Sequence, residues 1–302
     1  MPADDGSGSE FETLAAPSGR GALYLRPARP LEDVPVPDIF VWVSDGAPHD
    51  GRYPVLYAQD GQTLFEAHRV PFGVAWEMDR CASRLIDDQR IPPVIVVGVA
   101  STGDRLLDYA PGQILSRLSG VSRRLVEDRH GGRGRSGAYA GCLVEIIKPM
   151  IDRHFPTRVD QAQTFVVGAS MGGVAAAECL ALYPQTFGGM AAMSGHFSLL
   201  PLDDDPPPPA AFSLDVDQAL DAFVRNALPT AGRHRIWLDR SETGLDQHYG
   251  PAHHAIETAL KDRGYTIGVD LVSRLYPGVG HDEGAWRARL SDVLAFLLGP
   301  LS

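Results

Sequence analysis

From residue 53 onward, short continuous apolar runs alternate with longer segments in which apolar positions recur at helical spacing. Runs of the first kind are strands buried on both faces of a parallel sheet, and the segments between them are its crossover helices. Residues 53–58, 92–99, 164–169, 187–195, 235–239 and 268–275 are the expected strands. Residues 76–86, 140–153, 217–228, 251–263 and 283–298 are expected helices, with a further one just past residue 170. Ahead of them, 21–25 and 38–43 read as two strands of an antiparallel edge, separated by a link carrying Pro27, Pro30, Pro35 and Pro37. The fold class is therefore α/β, a mostly parallel central sheet with an antiparallel N-terminal edge and helices on both faces.

The alternation fails in places. Residues 1–18 read as a flexible tail, and 19–302 as a single domain interrupted twice. Gly and Arg dominate 104–139, which reads as a long connection of the sort that covers a site. At 201–212 the run from Asp203 through Pro209 is unable to enter a helix or sheet interior and reads as an exposed Pro/Asp-rich insertion.

Composition narrows the classes. A 302-residue chain that is 44% hydrophobic has ample material for one large core. A formal charge of −11 argues against nucleic acid and against anionic membrane surfaces as partners. No apolar stretch has membrane-spanning length, and the start, acidic and small-residued, is unlike a signal peptide, so a cytoplasmic location is expected. Cys81, Cys142 and Cys179 lack metal-ligand spacing and read as core thiols. Neither a metal nor another cofactor is called for, and the sequence leaves open whether the chain forms a homo-oligomer. One local exception to the acidic balance runs from Arg123 and Arg124 through Arg129, Arg133 and Arg135. It reads as a solvated loop, or as an arginine supply at the mouth of a site.

The chemistry centres on Gly168-Ala169-Ser170-Met171-Gly172-Gly173, where a β-branched run breaks, presents one serine and becomes an alanine-rich helix. This is the strand–turn–helix context of a nucleophile elbow, which lifts the Ser170 hydroxyl clear of the sheet and turns the N–H of Met171 toward a developing oxyanion. A serine hydroxyl needs a base, and the base needs an orienting acid; in this fold class the chain order is Ser, acid, His. His281 follows a strand through Gly278-Val279-Gly280 and precedes a helix, whereas His196 comes before any acid and His253 and His254 fall within a helical pattern. The alternative for His281 is a helix N-terminal histidine bound to nearby carboxylates. For the acid, Asp246 lies past Gly244 in a loop able to bend toward His281, while Asp239 at the strand end is a candidate structural partner of Arg240 or of backbone amides. The alternative for Asp246 is a helix cap. Asp282 and Glu283 suit the dipole of the last helix. The second oxyanion donor is expected after Ala58, from the N–H of Gln62 with Gly61 next, unless Asp60-Gly61 is only a tight turn.

These residues resemble a family. Tyr53 to Tyr57 followed by Asp60-Gly61-Gln62, the elbow, and Pro277-Gly278 with His281-Asp282-Glu283 and Trp286 are similar to the Putative esterase group of α/β-hydrolases, over about residues 35 to 298. That group includes enterochelin esterases, feruloyl and acetyl-xylan esterases, S-formylglutathione hydrolases and the mycolyltransferases. The resemblance implies the α/β-hydrolase fold, a triad of Ser170, Asp246 and His281, oxyanion donors at Met171 and Gln62, and no cofactor. Arg105 with Tyr109 and Pro111 resembles a pattern of sugar-ester and siderophore members, which places Arg105 and Tyr109, beside Asp60 and Gly61, at the substrate. The expected activity is serine carboxylic-ester hydrolysis of short-chain or sugar- or siderophore-type esters. Acyl transfer by the same residues, or a catalytically silent binding scaffold, are the competing classes.

Overall fold

A computed structural model describes residues 10–31, 34–70, 73–200 and 207–300. Its strands are β1 (Glu12–Leu14), β2 (Ala22–Arg26), β3 (Ile39–Val43), β4 (Val55–Gln59), β5 (Ile95–Val99), β6 (Thr164–Ala169), β7 (Gly189–Met193), β8 (Arg235–Ser241) and β9 (Leu271–Tyr276). Its α-helices are α1 (Met78–Asp87), α2 (Arg105–Tyr109), α3 (Gly112–Leu115), α4 (Gly120–His130), α5 (Ser136–Gly141), α6 (Lys148–His154), α7 (Met171–Leu182), α8 (Ala210–Asn226), α9 (Gly250–Asp262) and α10 (Glu283–Leu298). A π-helical stretch, Cys142–Ile147, joins α5 to α6.

All strands belong to one sheet in the order β1-β2-β3-β5-β4-β6-β7-β8-β9. The pairs from β1 to β3 and on to β5 are antiparallel, and every pair from β5 through β9 is parallel, so the antiparallel edge and parallel body are as expected. Central strands β4, β5, β6 and β7 are buried along their whole length, which is why their sequences are unbroken apolar runs. Two cores lie on the two faces. One gathers Val166, Leu180, Phe187, Phe212, Phe223 and Ile256; the other packs α1 and α10 through Leu85, Trp76, Trp286 and Leu294.

The N-terminal segment departs from expectation. Residues 1–9 of the expected tail lie outside the described residues, but Glu12–Leu14 pair with β2, and Phe11 is buried edge-on against Phe155 and His154. Beside that aromatic anchor, Glu10 meets Arg26 at 2.8 Å and His154 at 3.3 Å.

The larger correction is 104–139, which is four helices and not an irregular connection. Ile114, Leu115, Leu118 and Val126 are buried, too few and too scattered to show a period. The ends carry the helical signal instead. The Ser119 side chain caps α4 by accepting from the Ser122 N–H at 3.3 Å, and Gly131 ends it at φ 83°. Arg123 and Arg124 lie exposed on α4, and Arg135 pairs with Asp104 and Asp108 at 3.0 and 2.8 Å. Residues 201–206 of the expected insertion fall outside the described residues, and α8 starts at Ala210. Among the described residues no helix is long and apolar enough to cross a membrane.

Candidate active site

Ser170 sits between β6 and α7 with φ 54° and ψ −125°, a conformation that costs a non-glycine residue about 1–3 kcal/mol and persists only where its surroundings impose it. Here they do. The Ser170 N–H donates to the Met193 carbonyl at 2.9 Å, and the Ser170 carbonyl accepts from His196 and Gly173, both at 3.1 Å. The elbow also has no room for a side chain at Gly168, where an added Cβ would lie 2.2 Å from the Gly172 carbonyl oxygen. Met171 is the first residue of α7, so its N–H has no acceptor within the helix.

Ser170 Oγ lies 3.0 Å from His281 Nε2, and His281 Nδ1 lies 2.5 Å from Asp246 Oδ1. The two loops that carry the histidine and the acid are stitched together, because the N–H groups of Glu242 and Thr243 both donate to the Val279 carbonyl. His281 immediately precedes Asp282, whose side chain caps α10 by accepting from the Ala285 N–H at 2.9 Å. The imidazole stands between two rings edge-on, Trp286 at 5.1 Å and Tyr249 at 5.8 Å. Asp246 is completely buried in a short 3-10 turn, Gly244–His248, and caps no α-helix.

Burial alone would raise the Asp246 carboxyl. Hydrogen bonds from His281, Ser194 and the Ser241 N–H outweigh that and hold it below the ordinary carboxylate value. Ser194 Oγ donates to Asp246 Oδ2 at 2.5 Å and in turn accepts from Arg289 Nη2 at 2.6 Å. Asp239 plays a different part. It is buried against Arg289 at 2.9 Å and accepts from the Ser194 N–H and from Trp237 Nε1. Its partners thus include a backbone amide, as expected, but the cation is Arg289 and not Arg240. Ser194, Tyr249 and Arg289 are functional neighbours that the sequence alone did not single out; they reach the site only through long-range folding, and no local motif marks them.

The turn after β4 is a 3-10 helix, Gly61–Thr63, entered through Asp60 in the left-handed region at φ 56°. It abuts the elbow helix, since a Cβ at Gly172 would lie 3.1 Å from Asp60 Oδ2 and from Gln59 Cβ. The Gln62 side chain exchanges two hydrogen bonds with Ser101, at 2.8 and 3.0 Å, which pins this turn to the loop after β5. The residues expected at the substrate gather around this turn. Gly61 is pressed onto β5, where a Cβ would lie 2.4 Å from the Gly98 carbonyl carbon. Tyr109 is fully buried, its hydroxyl accepting from the Asp60 N–H at 3.2 Å. Arg105 donates from Nε and Nη2 to the two oxygens of Asp60, both at 2.7 Å, and lies over the Tyr109 ring. Asp60, Arg105 and Tyr109 therefore brace the turn through their mutual contacts, and Gly61 packs it against β5. Of the four, Arg105 is the one whose side chain is about one-third exposed.

The three cysteines are free thiols, and burial pushes Cys81 up to about 11. Among the described residues no group of three or more His, Cys, Asp or Glu side chains is placed to hold a metal ion.

A family model described as Putative esterase matches residues 39–297. The chain is 27% identical over 242 residues to the iron(III) salmochelin esterase of Escherichia coli O6:H1, a match covering 80% of this chain and 49% of that protein. It is 25% identical over 147 residues to the uncharacterized protein YbbA of Bacillus subtilis, covering 49% of this chain and 51% of that one. The chain thus spans about half the length of these curated relatives. Among solved structures, a ferulic acid esterase aligns with a TM-score of 0.60 at 15% identity, covering 95% of this chain and 96% of that one. The ferric enterobactin esterase of Salmonella typhimurium aligns with a TM-score of 0.58 at 15% identity, covering 98% of this chain and 59% of that one. At such identities the likeness is one of fold, and the fold is that of α/β-hydrolase esterases.

Proposed function

The chain belongs to the Putative esterase family, and on that premise we propose that it is a serine carboxylic-ester hydrolase working through an acyl-enzyme. Ser170 Oγ attacks the ester carbonyl while His281 Nε2 takes its proton, and Asp246 fixes the imidazole tautomer and stabilises the imidazolium. The N–H groups of Met171 and Gln62 stabilise the oxyanion. His281 then protonates the departing alcohol, and water releases the acid by the same steps reversed. The observation that carries this reading is the continuous line from Ser170 Oγ through both ring nitrogens of His281 to a buried, ionised Asp246.

The substrate in this reading is a short-chain ester whose alcohol or acyl part bears hydroxyl, catechol or carboxylate groups. Relatives named for salmochelin and ferulic acid support it, as do the polar helices of 104–139 with Arg105 beside the braced turn. The test is covalent labelling with a fluorophosphonate and turnover of p-nitrophenyl acetate. Ser170→Ala is expected to abolish labelling and lower kcat by at least about 10³-fold. A Ser170→Ala protein that labels and turns over like its parent would move the nucleophile elsewhere.

A further inference from the structure

Ser194 follows β7 directly, is fully buried, and holds φ 44°, in the left-handed region that glycine enters freely and other residues enter at a cost. Glycine would suit that backbone better, but glycine has no hydroxyl. The hydroxyl stands between two groups of fixed character. Buried Arg289 donates to it from Nη2 at 2.6 Å, and a guanidinium has no acceptor with which to reverse that bond. The one proton of the hydroxyl must therefore go elsewhere. Asp246 Oδ2 at 2.5 Å takes it, since Ser241 Oγ lies 3.5 Å away. The two oxygens of Asp246 thus have separate duties. Oδ1 faces His281 Nδ1 at 2.5 Å, while Oδ2 accepts from the Ser194 hydroxyl and from the Ser241 N–H. Both donors are firmly placed, because Ser241 ends β8 and the Ser194 N–H is tied to Asp239 Oδ1 at 2.8 Å. Arg289 is itself fixed by Asp239 at 2.9 Å and by Ser241 Oγ, which accepts from Nη1 at 2.9 Å.

We propose that Ser194 is a positioning residue of the triad: with its proton aimed by Arg289, its hydroxyl clamps Oδ2 of Asp246 so that Oδ1 stays on His281 Nδ1 through each turnover. This rests on the serine-esterase reading. The clamp acts through Asp246 and touches no substrate. The imidazolium that Asp246 stabilises forms once in acylation and once in deacylation, so losing the clamp slows both steps alike. kcat then falls, while KM, which depends on substrate binding and on the ratio of the two rates, keeps its parental value.

The experiment measures kcat and KM for p-nitrophenyl acetate in Ser194→Gly and Ser194→Ala. Both remove the hydroxyl, the first easing the backbone and the second keeping its left-handed strain. In each, kcat is expected to fall about ten- to hundred-fold, as one hydrogen bond to a charged group is lost, with KM unchanged. The same substitutions are then made in the Asp246→Asn background. With no carboxylate left to clamp, each should there change kcat by less than about two-fold. Thermal melting shows which variants are folded, and either one is enough for the comparison. Parental kcat in a folded variant overturns the proposal, since the hydroxyl would then serve packing alone. A loss as large in the Asp246→Asn background as in the parent overturns it too, because the hydroxyl would act elsewhere than on the acid. A parent enzyme that takes no fluorophosphonate label would instead remove the serine-esterase reading, and this proposal with it.

Discussion

Arg289 and Asp239 form a buried ion pair, Nη2 to Oδ1 at 2.9 Å, and the same Nη2 donates to Ser194 Oγ, whose proton goes to Asp246. Two carboxylates near the end of β8 are thereby given different partners, Asp239 an arginine and Asp246 a histidine. Removing one partner of a buried pair leaves an uncompensated charge and costs about 3–5 kcal/mol.

Asp239→Asn should therefore act on stability, with a large fall in melting temperature and modest loss of activity below the melt. Asp246→Asn should act on chemistry, with kcat down about 10⁴-fold because the amide lets His281 settle in the wrong tautomer. Melting curves and kcat for p-nitrophenyl acetate, taken side by side, decide it. A folded Asp239→Asn protein that is the less active of the two would make Asp239 the acid.

Arg105→Ala removes both hydrogen bonds to Asp60 and uncovers the Tyr109 ring. Since that pair braces the turn carrying the Gln62 N–H, kcat is expected to fall about ten-fold on neutral and anionic esters alike, because only part of the energy of the two lost charge-assisted hydrogen bonds reaches the oxyanion donor. A further loss confined to anionic esters would mark direct recognition by the guanidinium. If kcat/KM for both ester types stays at the parental value, the bracing role is wrong.

The sequence could be read where physics is local. Strands β4 to β7 are buried on both faces and so announce themselves as apolar runs, and α10 begins where Asp282 caps it. Ser170, Asp246 and His281 were legible because each follows a strand. Helices α2 to α5 were not, as their few buried residues show no period, although Ser119 and Gly131 bracket α4 in plain view. Ser194, Tyr249 and Arg289 were out of reach for a different reason. Arg289 and Ser194 meet across a sequence separation of 95, and His196 and Tyr249 across 53, distances over which only the folded sheet sets who meets whom.

Gly168→Ala tests the elbow's crowding. Its Cβ would lie 2.2 Å from the Gly172 carbonyl oxygen and 2.9 Å from Gln59 Cγ, so strand and helix must part. The expected cost is about 1–3 kcal/mol or more, with loss of labelling at Ser170 as the serine is displaced. Gly137→Ala, within α5 where an added Cβ meets nothing within 4 Å, is expected to gain about 0.5–1 kcal/mol. Equal stability of the two variants in urea melts would contradict a crowded elbow.

Glu178 lies buried on α7, where the elbow helix meets α3 and α5. Its Oε1 accepts from the Gln113 N–H at 2.9 Å and from Ser136 Oγ at 3.0 Å, and its Oε2 is buried with no hydrogen-bond partner among the described residues. Burial pushes the carboxyl from 4.5 up to about 7, against those hydrogen bonds. Between these values the folded protein keeps the proton that the unfolded chain has released, so stability is fully present below pH 4.5 and is lost as pH rises through about 7. The loss amounts to roughly 3 kcal/mol by pH 8, because each pH step between the two values is worth about 1.4 kcal/mol. Glu178→Gln keeps an acceptor for Gln113 and Ser136 but carries no charge. Urea melts from pH 5 to pH 9 should show the variant close to the parent at the acid end and more stable at the alkaline end. Two curves that stay parallel across that range would mean that Glu178 ionises as readily in the folded protein as in the unfolded chain, and the elbow helix would not meet its cover through a titrating group.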